Sequence, residues 1–163
     1  MIQESLRTDD DIERVFHQYA DLIYRLAFSQ TQNKNDADDV FQEVFLRYMK
    51  RAKPFESGEH EKAWLIRVTI NCSKKLWSSA WFRHTVGLDE NMVFEMPEEN
   101  EIYRVLLQLP QKYRTVIHLF YYEDMPVAQM AGILGMKESA VRTRLTRARN
   151  LLRTKLKGDF DYV

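Results

Sequence analysis

Between Asp11 and Phe28 the apolar side chains Ile12, Val15, Phe16, Tyr19, Leu22, Ile23 and Leu26 return every three or four positions. On an α-helix of 3.6 residues per turn that spacing gathers them into one stripe, whereas a strand would scatter them over both faces. The same rhythm runs through DADDVFQEVFLRYMKRA, EKAWLIRVTINCSKKLWSSAWF, IYRVLLQL, PQKYRTVIHLFYYE and PVAQMAGILG, and strict alternation is nearly absent. The expected fold is therefore all-α. Asn35 followed by Asp38 predicts an N-cap for the second helix, and Pro54 and Gly58 mark the loop after it. Pro110 and Pro126 fit first-turn positions, where a missing N–H costs nothing.

Charge divides the helices into two groups. The chain carries 24 basic and 24 acidic side chains, but they are not spread evenly. Residues 1–86 hold 13 of each sign, residues 87–101 hold six acids and no base, and residues 102–163 hold 11 bases against five acids. With Gly87 and Pro97 interrupting the helical pattern, the acidic stretch reads as a linker. Two small helical domains, 1–86 and 102–163, are expected on either side of linker 87–101. A net charge of +6 on the second favours a large anionic partner, of which nucleic acid is the commonest.

The basic end has internal structure. Met130, Ile133 and Leu134 give one short helix an apolar face, Ala131 is small where another helix could cross, and Gly135 suits a turn with positive φ. A second stripe, Val141, Leu145, Ala148 and Leu152, begins six residues later. Short helix, glycine-containing turn and second amphipathic helix make a helix-turn-helix. The outer face of its second helix carries Arg142, Thr143, Thr146, Arg147 and Arg149. Arginine forks suit guanine edges, hydroxyls suit adaptable contacts, and further cations suit phosphates. A solvated basic face usually mixes signs, but residues 137–157 hold eight bases and one acid.

DADDVFQEVFLRYMKR poses a separate question. Val40, Phe41, Val44, Phe45 and Tyr48 form the expected buried face, yet Leu46 and Met49 fall opposite, in line with Asp39, Gln42 and Glu43. Either a partner covers this mixed patch or the first domain buries the helix on nearly all sides.

Other function classes find little support. His17, His60, His84 and His118 are scattered and share no metal-ligand spacing with Cys72, so no metal, cofactor or catalytic set is expected. His118, within VIHLFYY, reads as a core histidine. The single cysteine suits a reducing compartment, no segment has the apolar length of a membrane span, and the acidic start is unlike a signal peptide. A soluble cytoplasmic protein is expected.

Three segments resemble the sigma-70 family, in the two-domain form of its extracytoplasmic-function (ECF) group. DADDVFQEVFLRYM is similar to the helix that grips the clamp of bacterial RNA polymerase. EKAWLIRVTIN is similar to the promoter-melting segment, and LPQKYRTVIHLFYYEDMPVAQMAGILGMKESAVRTRLTRAR to the C-terminal domain. The resemblance implies a promoter-choosing subunit that catalyses nothing alone. Its partners would be the polymerase core, promoter DNA and an anti-sigma factor, which could hold it at the membrane.

The resemblance also assigns positions. Asp38, Asp39, Gln42, Glu43, Leu46 and Met49 would dock on the clamp. Asn71 falls where the family reads a base of the −10 element, and the loop PFESGEHEK would receive a flipped-out base. Lys74, Lys75, Trp77, Trp81 and Arg83 would contact DNA nearby, whereas Trp64 shares a stripe with Val68 and suits the core. Arg142, Thr143, Thr146 and Arg147 fall where the −35 element is read; Lys137, Ser139, Arg144 and Arg149 fit phosphate or structural positions. Lys75 and Gln129 depart from the common pattern, in which both sites are often acidic. A helix-turn-helix regulator that binds duplex DNA without polymerase is the alternative reading, and an interaction protein that leaves the arginines idle is a third.

Overall fold

The computed structural model describes residues 8–78 and 101–160; every regular element among them is helical. The chain separates into two compact units, Met1–Met96 and Pro97–Val163.

The first unit is a three-helix bundle of α1 (Asp9–Thr31), α2 (Lys34–Lys50) and α3 (Gly58–Ser78), each packed on the other two. Thr8 starts α1 by accepting the Asp11 N–H at 3.2 Å, and Asp9, Asp10 and Asp11 place negative charge at the positive end of the helix dipole. α1 ends at Gln32, whose backbone is left-handed (φ 55°) and whose N–H returns to the Phe28 carbonyl at 2.7 Å. The next residue, Asn33, caps α2 through the Asp36 N–H at 3.2 Å. The cap thus lies two residues before the expected Asn35. Both asparagines have an aspartate three positions on, and the break at Gln32 selects the earlier pair.

Val15, Ile23, Leu26, Val40, Val44, Leu65 and Ile66 are fully buried between these helices. Each such side chain contributes about 1.5–3 kcal/mol on leaving water. A polar knot joins all three helices: Arg14 makes two 3.0 Å bonds to the Glu61 carboxylate, which also accepts the buried Tyr48 hydroxyl at 3.2 Å.

The second unit comprises α4 (Glu101–Leu107), α5 (Gln111–Ile117), α6 (Val127–Leu134) and α7 (Glu138–Phe160). Pro110 and Pro126 stand at the cap positions of α5 and α6, one residue ahead of the expected first turn, with extended ψ of 145° and 147°. Arg114 is buried and donates to the Leu109 carbonyl at 2.9 Å and the Leu107 carbonyl at 3.4 Å, acceptors left over where α4 ends. Desolvation lowers its pKa from the usual arginine value.

Instead of continuing as an α-helix, His118–Tyr122 forms a π-helical turn, closed by the Glu123 N–H on the His118 carbonyl at 3.2 Å. His118 is fully buried, as its apolar setting predicts. Its Nε2 lies 3.1 Å from Glu123 Oε1, and its ring stacks on Tyr122 at 5.4 Å.

Candidate functional site

The helix-turn-helix is built from its glycine outward. Gly135 has φ of +65°, and both its N–H and that of Met136 return to the Ala131 carbonyl, ending α6 in a sharp turn. A side chain there would be strained by the backbone even though the space is open. Val141 N–H bonds to the Lys137 carbonyl at 3.1 Å as α7 begins, and Val141, Leu145 and Ala148 bury the inner stripe. α7 packs against α4, α5 and α6.

At 100° per residue the opposite face is centred on Ser139, Thr143, Thr146 and Arg147. All four are exposed, as are Lys137 and Arg142. Thr143 and Thr146 donate their hydroxyl protons to the carbonyls of Ser139 and Arg142, both at 3.0 Å. Each therefore offers outward an acceptor oxygen and a methyl, matching a base amine or a thymine methyl.

The four arginines of α7 between 142 and 149 fall into two classes. Arg142 pairs with Glu138 at 3.2 Å on the surface, a contact worth little and easily exchanged. Arg149, expected at a phosphate or structural position, is half-buried. Its Nε meets the Tyr121 hydroxyl at 2.6 Å, and its guanidinium lies 5.3 Å from the Phe120 ring centre and 5.6 Å from that of Tyr121. That geometry braces α7 against the π turn.

Arg144 and Arg147 have no acid partner among the described residues. They line a cleft of about 320 Å³ together with Ser139 and Thr143 of α7 and Lys112 and Tyr113 of α5. Lys112 and Tyr113 escaped the sequence reading. Lys112 lies 25 residues before the basic run, and only the packing of α5 on α7 brings it there.

In the first unit α2 presents two faces. Val40, Phe41, Val44, Phe45 and Tyr48 are buried as expected. On the other side Leu46 is 43% exposed, so the unit does not close over the helix there; Gln42, Glu43 and Met49 are half-buried around it. Glu43 is tied to Arg47 at 2.9 Å, which raises the Arg47 pKa.

The N-terminal end of this strip is covered. Asp38 and Asp39 are each only 5% exposed. Asp38 accepts from Lys34 at 3.0 Å and from the Tyr24 hydroxyl, whose pKa is raised first by burial and then by that bond. In this chain Asp38 ties α2 to α1.

On α3, Asn71, Lys74 and Lys75 are exposed and so is Arg67, one turn earlier. Trp77 lies within α3, while Trp81 and Arg83 fall outside the described residues. Trp64 is half-buried beneath the loop after α2, 5.5 Å from Phe55 and 6.3 Å from Tyr48. Phe55 stacks on Tyr48 at 9° between planes, with the Arg51 guanidinium 4.3 Å from its centre. The loop is also pinned by the Glu56 N–H to His60 Nδ1, and by the His60 N–H to Ser57 Oγ, both at 3.1 Å. Burial raises the Cys72 thiol pKa, which disfavours a reactive thiolate. No group of three metal-capable side chains gathers among the described residues.

Comparison with known proteins places both units. Residues 15–83 match the family described as Sigma-70 region 2, and residues 99–152 match Sigma-70, region 4. The ECF RNA polymerase sigma factor SigW of Bacillus subtilis is 30% identical over 159 residues, covering 85% of each chain. RNA polymerase sigma factor SigV of the same organism is 31% identical over 144 residues, covering 82% of this chain and 84% of its own. Among solved structures, the sigma factor RpoE of Bartonella quintana, in complex with the anti-sigma factor NepR, aligns at a TM-score of 0.67. Its identity is 20%, over 91% of this chain and 98% of that one. CnrH, in complex with the cytosolic domain of CnrY, aligns at 0.70 with 22% identity, over 94% and 92%.

Proposed function

This chain belongs to the sigma-70 family as an ECF-type RNA polymerase sigma factor, and from that premise we propose how its two units divide the work. A sigma factor directs polymerase core to promoters, and the family points to DNA recognition rather than catalysis. The first unit docks on the polymerase clamp through the open part of the α2 strip, with Leu46 at its centre and Gln42, Glu43 and Met49 around it. Asp38 and Asp39 shape the strip from beneath rather than meeting the partner directly. The exposed α3 row of Asn71, Lys74 and Lys75 engages the −10 element, with Trp77, Trp81 and Arg83 beyond it. The loop carrying Phe55 receives a base drawn from the stack.

The second unit reads the −35 element. Arg142, Thr143, Thr146 and Arg147 face base edges, and Lys137, Ser139 and Arg144 lie toward the backbone. Residues 87–101 serve as the linker between domains 1–86 and 102–163. An anti-sigma factor restrains the protein in the cytoplasm; the RpoE relative, held by NepR, supports that reading. No described helix is long and apolar enough to cross a membrane.

The observation that carries this reading is the α7 face, where exposed arginines and threonines stand over a buried Val141–Leu145–Ala148 stripe in the unit that matches region 4. Transcription in vitro from a randomised promoter library, with start-site mapping, tests it. Start sites should share two upstream elements and appear only when core enzyme and this chain are both present. Tight, specific binding to duplex DNA without core would favour an autonomous regulator instead.

A further inference from the structure

We propose that the loop carrying Phe55 is a pH-sensitive device, held closed by neutral His60 and released when its imidazole takes a second proton. The consequence for promoter opening rests on the reading that this loop receives a flipped-out base. The hold is a variant of a capping box. Ser57, just before α3, accepts the His60 N–H at 3.1 Å, and His60 reaches back so that its Nδ1 accepts the Glu56 N–H at 3.1 Å. The usual residue three positions after such a serine is Glu or Gln, whose oxygen goes on accepting as the pH falls from 8 to about 5. An imidazole nitrogen accepts only while it is unprotonated, and histidine is the side chain whose charge ordinarily changes across that range.

Protonation would set two donors, Nδ1–H and the Glu56 N–H, against each other, and place a cation at the positive end of α3. The surrounding charge does not offset this. Arg51, at the end of α2, holds its guanidinium 4.3 Å from the centre of the Phe55 ring, and His60 meets the same ring at 5.2 Å and 80°. Of the acids in this stretch, Glu61 is engaged by Arg14 of α1 and Tyr48 of α2. Glu56 and Glu59, both exposed, remain beside Arg51, Lys53 and Lys62. Phe55 also stacks on Tyr48 and lies 5.5 Å from Trp64. Release at Glu56 therefore loosens the adjacent residue that closes the aromatic cluster.

The test follows the full-length, isotope-labelled chain by NMR. From about pH 8 to about pH 5 the wild-type Glu56 amide resonance should move together with the His60 ring nitrogens. In His60→Gln, whose side-chain oxygen restores the acceptor, the Glu56 amide should stay in place over that range. A wild-type Glu56 amide that does not follow the imidazole, or one that moves equally in His60→Gln, would overturn the proposal. A second arm measures open-complex formation with polymerase core at about pH 7.5 and about pH 5.5, each chain compared with itself. The drop in the wild type should exceed that in His60→Gln by roughly twofold to tenfold, the worth of one hydrogen bond. Equal drops would overturn the proposal, and a folded Phe55→Ala that opens promoters poorly at the higher pH would still leave base capture by the loop standing. Phe55→Ala opening promoters as well as the wild type would overturn both.

Discussion

Replacing Leu46 by Asp should separate polymerase binding from folding. Leu46 is 43% exposed in the free chain, so the fold already has part of its burial. Exchanging Leu for Asp costs about 1 kcal/mol of stability, through lower helix propensity and an acid near the negative end of α2. For a unit of this size that lowers Tm by roughly 4–8 °C. Docking is affected far more. Covering the exposed 43% of a leucine is worth roughly 0.6–1.3 kcal/mol, and an unpaired carboxylate enclosed by the partner costs several kcal/mol beyond that. A loss of at least about 3 kcal/mol weakens affinity more than a hundredfold. Leu46→Ala, which removes most of the contact without adding charge, should cost at most about threefold to ninefold. Titrating labelled chain with core enzyme by fluorescence anisotropy, beside a melting curve for each variant, measures both quantities. The reasoning fails if Leu46→Asp binds core within a factor of three of wild type. It fails equally if the melting curve shows Leu46→Asp unfolded at the assay temperature, since stability alone would then explain the loss.

Arg147→Ala should relax preference at one upstream base pair by roughly 1–3 kcal/mol and leave core affinity unchanged; transcription across mutated promoters, with a core titration, scores it. Arg149→Ala should instead lower thermal stability and weaken DNA binding uniformly, because Arg149 braces α7 on Tyr121. Glu61→Ala should cost about 1–3 kcal/mol in chemical denaturation, mainly by stranding the buried Tyr48 hydroxyl, since the half-exposed Arg14 can turn to water; Tyr48→Phe, which keeps the Arg14–Glu61 pair, should cost less. Alkaline pH should destabilise the fold. Burial holds Cys72, Tyr19, Tyr24 and Tyr122 above their ordinary pKa values, so beyond about 8.5 for the thiol and about 10 for the phenols the unfolded chain releases protons that the folded chain keeps. Stability is full below those values and falls above them, and Tyr24→Phe should flatten the decline in melts recorded from about pH 8 to 11.

The helical rhythm, the left-handed Gly135 and the buried faces of α2 and α7 were legible because each is written in local spacing. The N-cap of α2 was ambiguous because Asn33 and Asn35 offer the same three-residue relation to an aspartate. Only the termination of α1 decides between them. Burial of Asp38 and Asp39 could not be read, since acids near a helix start normally face water and tertiary packing overrules that default. Lys112 and the bracing of Arg149 were invisible for a related reason. Both depend on which residue of one helix meets which residue of another, and the period of a single helix does not contain that information.

The π turn at His118–Tyr122 sets how this domain tolerates changes in length. A π turn holds one more residue than the α-helical turn it replaces. Deleting one residue there would leave a regular helix, locally better bonded than before. One turn of either kind closes nearly a full rotation, so the residues beyond it would keep their direction while the contacts made within the turn would change. The Glu123 N–H would lose the His118 carbonyl, and the 3.1 Å contact between the Glu123 carboxylate and the buried His118 ring would have to be rebuilt. A single deletion should therefore be absorbed by this turn better than by the regular helices of the same unit. Among related chains, a one-residue alignment gap inside this unit should fall between Val116 and Pro126 rather than within α7.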